Sequence, residues 1–152
     1  MAPYMSSVGP NEGIEIGVVE FRLKNNTGSD RKRGEVVSSD DSSLDPDTGR
    51  FNAFDQAGAT DVLGNLLGVL LEDIPAGAYG RVRFQGRVKH VLLGGTVTRG
   101  ALAAPAASTY GVTVTTGLSK RKITFKAETG GGSGEYVAGI WDGWSGLGKD
   151  EV

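Results

Sequence analysis

Glycine stands at 25 of the 152 positions and interrupts almost every apolar run in this chain. That is more than twice what an average usage of about 7% would give, and no strict triplet repeat accompanies it, so collagen is excluded. Inside a helix each glycine costs about 1 kcal/mol relative to alanine, whereas at a tight turn it is the favoured residue. Short runs of Val, Ile, Leu and Phe between such glycines therefore point to a mainly β, turn-rich single domain. A chain of this length buries roughly 70% of its unfolded surface, enough to fold without disulfides or metals.

Charge and rare residues exclude most functional classes. The 16 basic and 18 acidic residues nearly cancel, so no overall field favours nucleic acid or an anionic membrane, and neither is expected as a partner. Cysteine is absent and His90 is the one histidine, which removes thiol catalysis and the usual zinc cages. His90 falls on the apolar parity of its segment with Val88 and Leu92, which predicts a core or interface histidine. No GxSxG or HExxH spacing supplies a nucleophile or a metal site. GGGSG at 130–134 opens no helical pattern, and no phosphate-loop spacing occurs, so neither a cofactor nor an enzymatic activity is expected. Hydrolysis by aspartates paired across a cleft stays open as a third reading. The longest apolar stretch, Val62 to Leu71, is broken by Gly64, Asn65 and Gly68, short of the ~18 residues of a membrane span. The opening MAPYMSSVGPNEG lacks the charged start and apolar middle of a secretory signal, which suggests a soluble protein made in a reducing cytoplasm.

Along the chain, residues 1–13 hold Pro3, Gly9, Pro10 and Gly13 among small polar residues and read as a flexible arm, with Tyr4, Met5 and Val8 available for docking. The domain proper is expected over 14–152. Ile14, Ile16 and Val18 share one parity and Val19, Phe21 and Leu23 the other, which predicts a strand with a bulge at Val18–Val19. Asn25 to Gly34 reads as a polar loop, Gly34 to Val37 as the opening of a strand, and Asp40 to Arg50 as an acidic turn. Asp45, Asp47 and Gly49 are spaced somewhat like a calcium loop, but Gln56 stands where its closing glutamate belongs. Ala59 to Leu67 is the one helical pattern, with Thr60 as its cap, and Val69 to Ile74 follows as a buried strand ended by Pro75-Ala76-Gly77.

The clearest alternation follows that turn. Arg81, Arg83, Gln85, Arg87 and Lys89 lie on one face, and Val82, Phe84, Val88 and His90 on the other. The basic stripe is either a solvated face or a contact for an acidic surface, for which Asp40 to Asp61 is the candidate in this chain or a neighbouring copy. It lacks the interleaved aromatics of a single-strand nucleic-acid platform. Short segments at 96–98, 101–107, 112–116 and 123–127 come next, with Lys120-Arg121-Lys122 at a charged hairpin tip. Tyr136 to Trp141 is the expected last strand, and Tyr136 to Ile140 echoes Leu66 to Leu70. Trp141 and Trp144 form an aromatic pair that could cap the core, stack on a sugar or plug an interface.

The segment LLGVLLEDIPAGAYGRVRFQGRV, Leu66 to Val88, resembles small capsid decoration proteins of tailed bacteriophages, the head-stabilising or cement proteins of the lambda type. The shared pattern is a Gly-Val strand, an acidic residue, an Ala-Gly turn and a Gly-x-Val strand; GEVVSSD before it and GGTVTRGALAAPA after it extend the likeness. The resemblance implies a small β-tulip or barrel-like fold and a homotrimer on the outer surface of the expanded capsid. It implies N-terminal arms that pair with the major capsid protein, and Tyr4, Met5 and Val8 with Ile14 and Ile16 match that arm in character and place. The stretch Asp40 to Arg50, the loop at 130–134 and the Trp141/Trp144 tail lie outside the pattern. A reading from another class is a β-sandwich carbohydrate-binding module using Tyr136, Trp141 and Trp144.

Overall fold

The computed structural model describes residues 17–40, 42–57, 66–105, 109–114 and 122–149. It is mainly β, as the glycine spacing predicts, with no helix among the described residues. In chain order the strands are β1 (Val19–Asn25), β2 (Val36–Ser39), β3 (Ala53–Gln56), β4 (Leu67–Leu70), β5 (Tyr79–Leu92), β6 (Leu102–Pro105), β7 (Val112–Val114), β8 (Lys122–Ile123), β9 (Phe125–Ala127), β10 (Tyr136–Asp142) and β11 (Gly148–Lys149). β8 and β11 form a separate two-stranded ribbon.

The other nine make one sheet that closes on itself twice. β1 pairs in parallel with β3, β3 with β2, β2 with β4, β4 with β5, and β5 returns to β1, completing a first ring. From the second half of β5 the sheet continues through β10, β9, β6 and β7, and a parallel bridge from Val112 to Leu93 brings β7 back to the end of β5. The two rings share β5, which is 14 residues long and spans both.

These rings are copies of one pattern. β1 to β5 correspond, in order, to the second half of β5 and then β6, β7, β9 and β10, and the registers coincide. Val37 lies opposite Gly68 and Gln56, as Ala103 lies opposite Phe125 and Val114. Lys24 faces Tyr79 as Leu92 faces Tyr136. The bridge Arg31–Ile74 corresponds to Val97–Gly131. Each of those four bridge residues is followed three positions later by a glycine with φ of 92°, 76°, 81° or 87°, namely Gly34, Gly77, Gly100 and Gly134. A side chain there would meet the left-handed backbone penalty, so this corner selects glycine wherever it recurs.

Each ring has its own interior. Leu23, Val37, Phe54, Leu70, Ile74, Val82 and Phe84 fill the first lobe. Val88, Val91, Leu93, Val97, Val112, Phe125, Val137 and Trp141 fill the second, joined by Val36, Leu67 and Val69. Burying each aliphatic or Phe side chain stabilises the fold by roughly 1.5–3 kcal/mol.

The structure departs from the sequence reading in several places. Leu66 and Leu67 belong to no helix, and Leu67 opens β4; the rest of that helical pattern, residues 59–65, lies outside the described residues. β4 ends at Leu70, and Ile74 makes an isolated bridge to Arg31 in place of a continuous strand. β10 is followed by β11, and Lys122 is a strand residue of β8. The strand that Tyr136 opens is the counterpart of the one opened by Tyr79, not of Leu66 to Leu70. The register does shift beside Val19, from Val19–Gln85 to Glu20–Arg83, but the extra residue is Phe84 on β5 and not a residue of β1. The arm, with Tyr4, Met5, Val8, Ile14 and Ile16, lies outside the described residues.

A basic groove on the shared strand

Period-two alternation places Arg81, Arg83, Arg87 and Lys89 outside the barrel interiors, as the sequence predicts. The fold adds Arg33, from the corner before β2, and His90. Together with Leu70, Leu71, Val88, Glu128 and Ala138 they line a groove of about 660 Å³ where β5 passes from one lobe to the other.

His90 is in the groove because of a bulge. The register between β10 and β5 steps from Val137–Val91 to Gly139–Val88, so Lys89 and His90 together oppose Ala138. The extra residue resets the alternation and turns the imidazole out of the core, which corrects the core half of the core-or-interface expectation for His90. Its ring sits edge-on to Tyr136 at 6.3 Å, and Nε2 lies 3.3 Å from the Arg33 guanidinium.

The cations are only partly neutralised. Glu20 accepts from Arg81 Nε and from Arg83 Nη2, both at 3.0 Å. Burial raises the Glu20 carboxyl pKa, but the hydrogen bonds and charges of Arg81 and Arg83 outweigh it and hold the group below its usual range. Glu20 in turn raises the exposed Arg81. Arg83 Nη1 donates to the Arg87 carbonyl at 2.7 Å, while its Nε is buried with no hydrogen-bond partner. Arg87 pairs with Glu128. The Lys89 ammonium and the Arg33 guanidinium pair with no carboxylate among the described residues, while the Arg33 backbone N–H donates to Asp73 Oδ1 at 2.8 Å. Sequence reasoning missed Arg33, Glu20 and Glu128. Glu20 carried a signal, since it alternates with Phe21 and so faces outward on β1, but nothing local in the loop around Arg33 marks it.

The acidic stretch stands elsewhere. Leu44 bridges Phe51, Asp45 N–H donates to the Arg50 carbonyl at 2.7 Å, and the Asp45 carboxylate accepts from the N–H groups of Asp47 and Thr48, making a tight hairpin tip. Hydrogen bonds from Ser42 and Asn26 lower the Asp40 carboxyl pKa against a smaller effect of burial. Among the described residues, the carboxylates paired with the basic stripe are Glu20 and Glu128, and no aspartate of that stretch.

The C-terminal aromatics do not form a platform. Trp141 is fully buried and its Nε1 donates to the Leu67 carbonyl at 3.0 Å. Tyr136 stands five residues away along β10, about 17 Å at the rise of a strand. Trp144 packs against Phe21 and Phe84.

Fold and site together define a class: two five-stranded β rings sharing one strand, with their polar groups gathered on the outside of that strand. The head fiber gp8.5 N base of bacteriophage phi29 is a solved structure similar in fold, with a TM-score of 0.53 and 13% identity over 87% of this chain and 99% of that chain. No protein family and no curated protein matches the sequence.

Proposed function

We propose that this protein is a non-enzymatic structural component of a phage head, carried on the outer surface of the expanded capsid, where it stabilises the shell. The observation that carries this reading is the fold similarity to a head fiber base that is covered almost end to end. The decoration-protein pattern of Leu66 to Val88 supports it independently, because that segment forms β4, the following corner and β5.

In this reading the protein acts as a homotrimer whose N-terminal arms join strands of the major capsid protein. The ring duplication supports the arm's role. In the second lobe, the strand equivalent to β1 is the later half of β5, and the half preceding it is paired with the other lobe. For the first lobe, residues 1–16 precede β1 in the sequence, and in this reading a strand of the capsid shell takes the part of the other lobe. Fixing backbone costs about 1–2 kcal/mol per residue, so some twelve residues need on the order of 12–24 kcal/mol from main-chain hydrogen bonds and pockets for Tyr4, Met5, Val8, Ile14 and Ile16. Three tethered arms raise apparent affinity through effective concentration.

Gold-labelled antibody against the folded body, applied to intact virions of the phage that encodes it, tests the reading. Label on the outside of heads is expected; heads that take label only after disruption, or never, overturn it.

A further inference from the structure

We infer that the groove on β5 receives the acidic hairpin tip around Asp45 and Asp47 of a second copy of this chain. The inference takes up the self-association of the reading above and gives it a contact.

The duplication separates what the fold requires from what has been added. At the positions of Arg81 and Arg83 the second lobe carries Ala138 and Ile140, so the ring closes without cations there. The connection from β2 to β3 runs over residues 40–52, while its counterpart from β6 to β7 runs only over 106–111. The hairpin is therefore extra, and so are Arg81 and Arg83.

The two additions match. Residues 40–55 hold Asp40, Asp41, Asp45, Asp47 and Asp55 against Arg50, a net charge of -4. The tip also exposes Leu44 to 53%, a large apolar side chain beside the aspartates. The groove offers the complement: the Lys89 ammonium and the Arg33 guanidinium, paired with no carboxylate among the described residues, the buried unpartnered Nε of Arg83, and the partly exposed Leu71 and Ala138. Hairpin and groove are different surfaces of one chain, so the contact can repeat reciprocally across a two-fold axis or run head-to-tail and close into a ring.

Sedimentation velocity of the full chain at low and at 0.5 M salt tests this. The groove variant is Arg87→Glu/Lys89→Glu. The hairpin variant is Asp45→Asn/Asp47→Lys, in which the amide oxygen of the introduced asparagine keeps the acceptor of the turn. Each is expected to weaken association by at least about tenfold at low salt, with a smaller effect at high salt, and the chain carrying all four substitutions should regain it. Lys89→Glu alone, which breaks no ion pair among the described residues, should weaken association too. A monomeric wild type overturns self-association itself. A wild-type oligomer unaffected by the variants, or a four-fold variant no better than its parents, overturns only the contact.

Discussion

Glu20 concentrates the electrostatics of β5 in one carboxylate, because Arg81 and Arg83 both bond to it. Its folded pKa is depressed, so its contribution is present above the ordinary glutamate pKa of about 4.3 and is lost as pH falls through the folded value. The melting temperature should therefore decline on acidification below about pH 4.3, and Glu20→Gln should flatten that part of the profile. Two glycines give a sharper residue-scale contrast. A Cβ on Gly139 would collide with the Lys126 carbonyl and the Phe125 ring, so Gly139→Ala should cost roughly 3 kcal/mol in urea unfolding. Gly77 has open space but φ of 76°, and Gly77→Ala should cost only about 1–2 kcal/mol. Equal losses would show that crowding does not separate the two sites. The outward parity of Arg81 to Lys89 was readable in the sequence because two-residue alternation needs no tertiary knowledge. The position of His90 was not, since the bulge that turns it out is set by its partner strand.

At the scale of elements, β5 decides how the protein unfolds. It is the last strand of one ring and the first of the other, so neither lobe can lose it and leave its neighbour intact. Val82→Ala in the first lobe and Val91→Ala in the second should each cost roughly 2 kcal/mol and lower the same single transition. Calorimetric and van't Hoff enthalpies should agree in both variants; a second transition in either would mean that the lobes melt separately. Most strands were legible between glycines, but β3 at Ala53–Gln56 was missed, as were β8 and β11, whose two residues each carry no periodicity. The helical pattern ending at Leu67 misled at that residue because its apolar spacing also suits a buried strand, and pairing with β2 selects the strand.

The duplication is the feature of the whole molecule that the sequence hid. Equivalent positions hold unlike residues: Leu70 and Ala127, Ile74 and Gly131, Val82 and Gly139. What persists is a register, four turn glycines and the pairs Tyr79/Tyr136 and Arg33/Arg99, and those become visible only when the pairings are known. The groove was half legible for the same reason: its four β5 cations share one strand, whereas Arg33, Glu20 and Glu128 reach it from three other parts of the chain. The arm connects this body to its proposed work, since a ligand that binds only the assembled shell stabilises the shell by mass action. Binding of the full chain and of a chain lacking residues 2–13 to empty expanded capsids, read by co-sedimentation with the melting temperature of the capsids, tests this most directly. The account predicts that the full chain pellets with capsids and raises their melting temperature, while the truncated chain, still folded by circular dichroism, does neither. A truncated chain that binds and stabilises capsids as well as the full one does would contradict it.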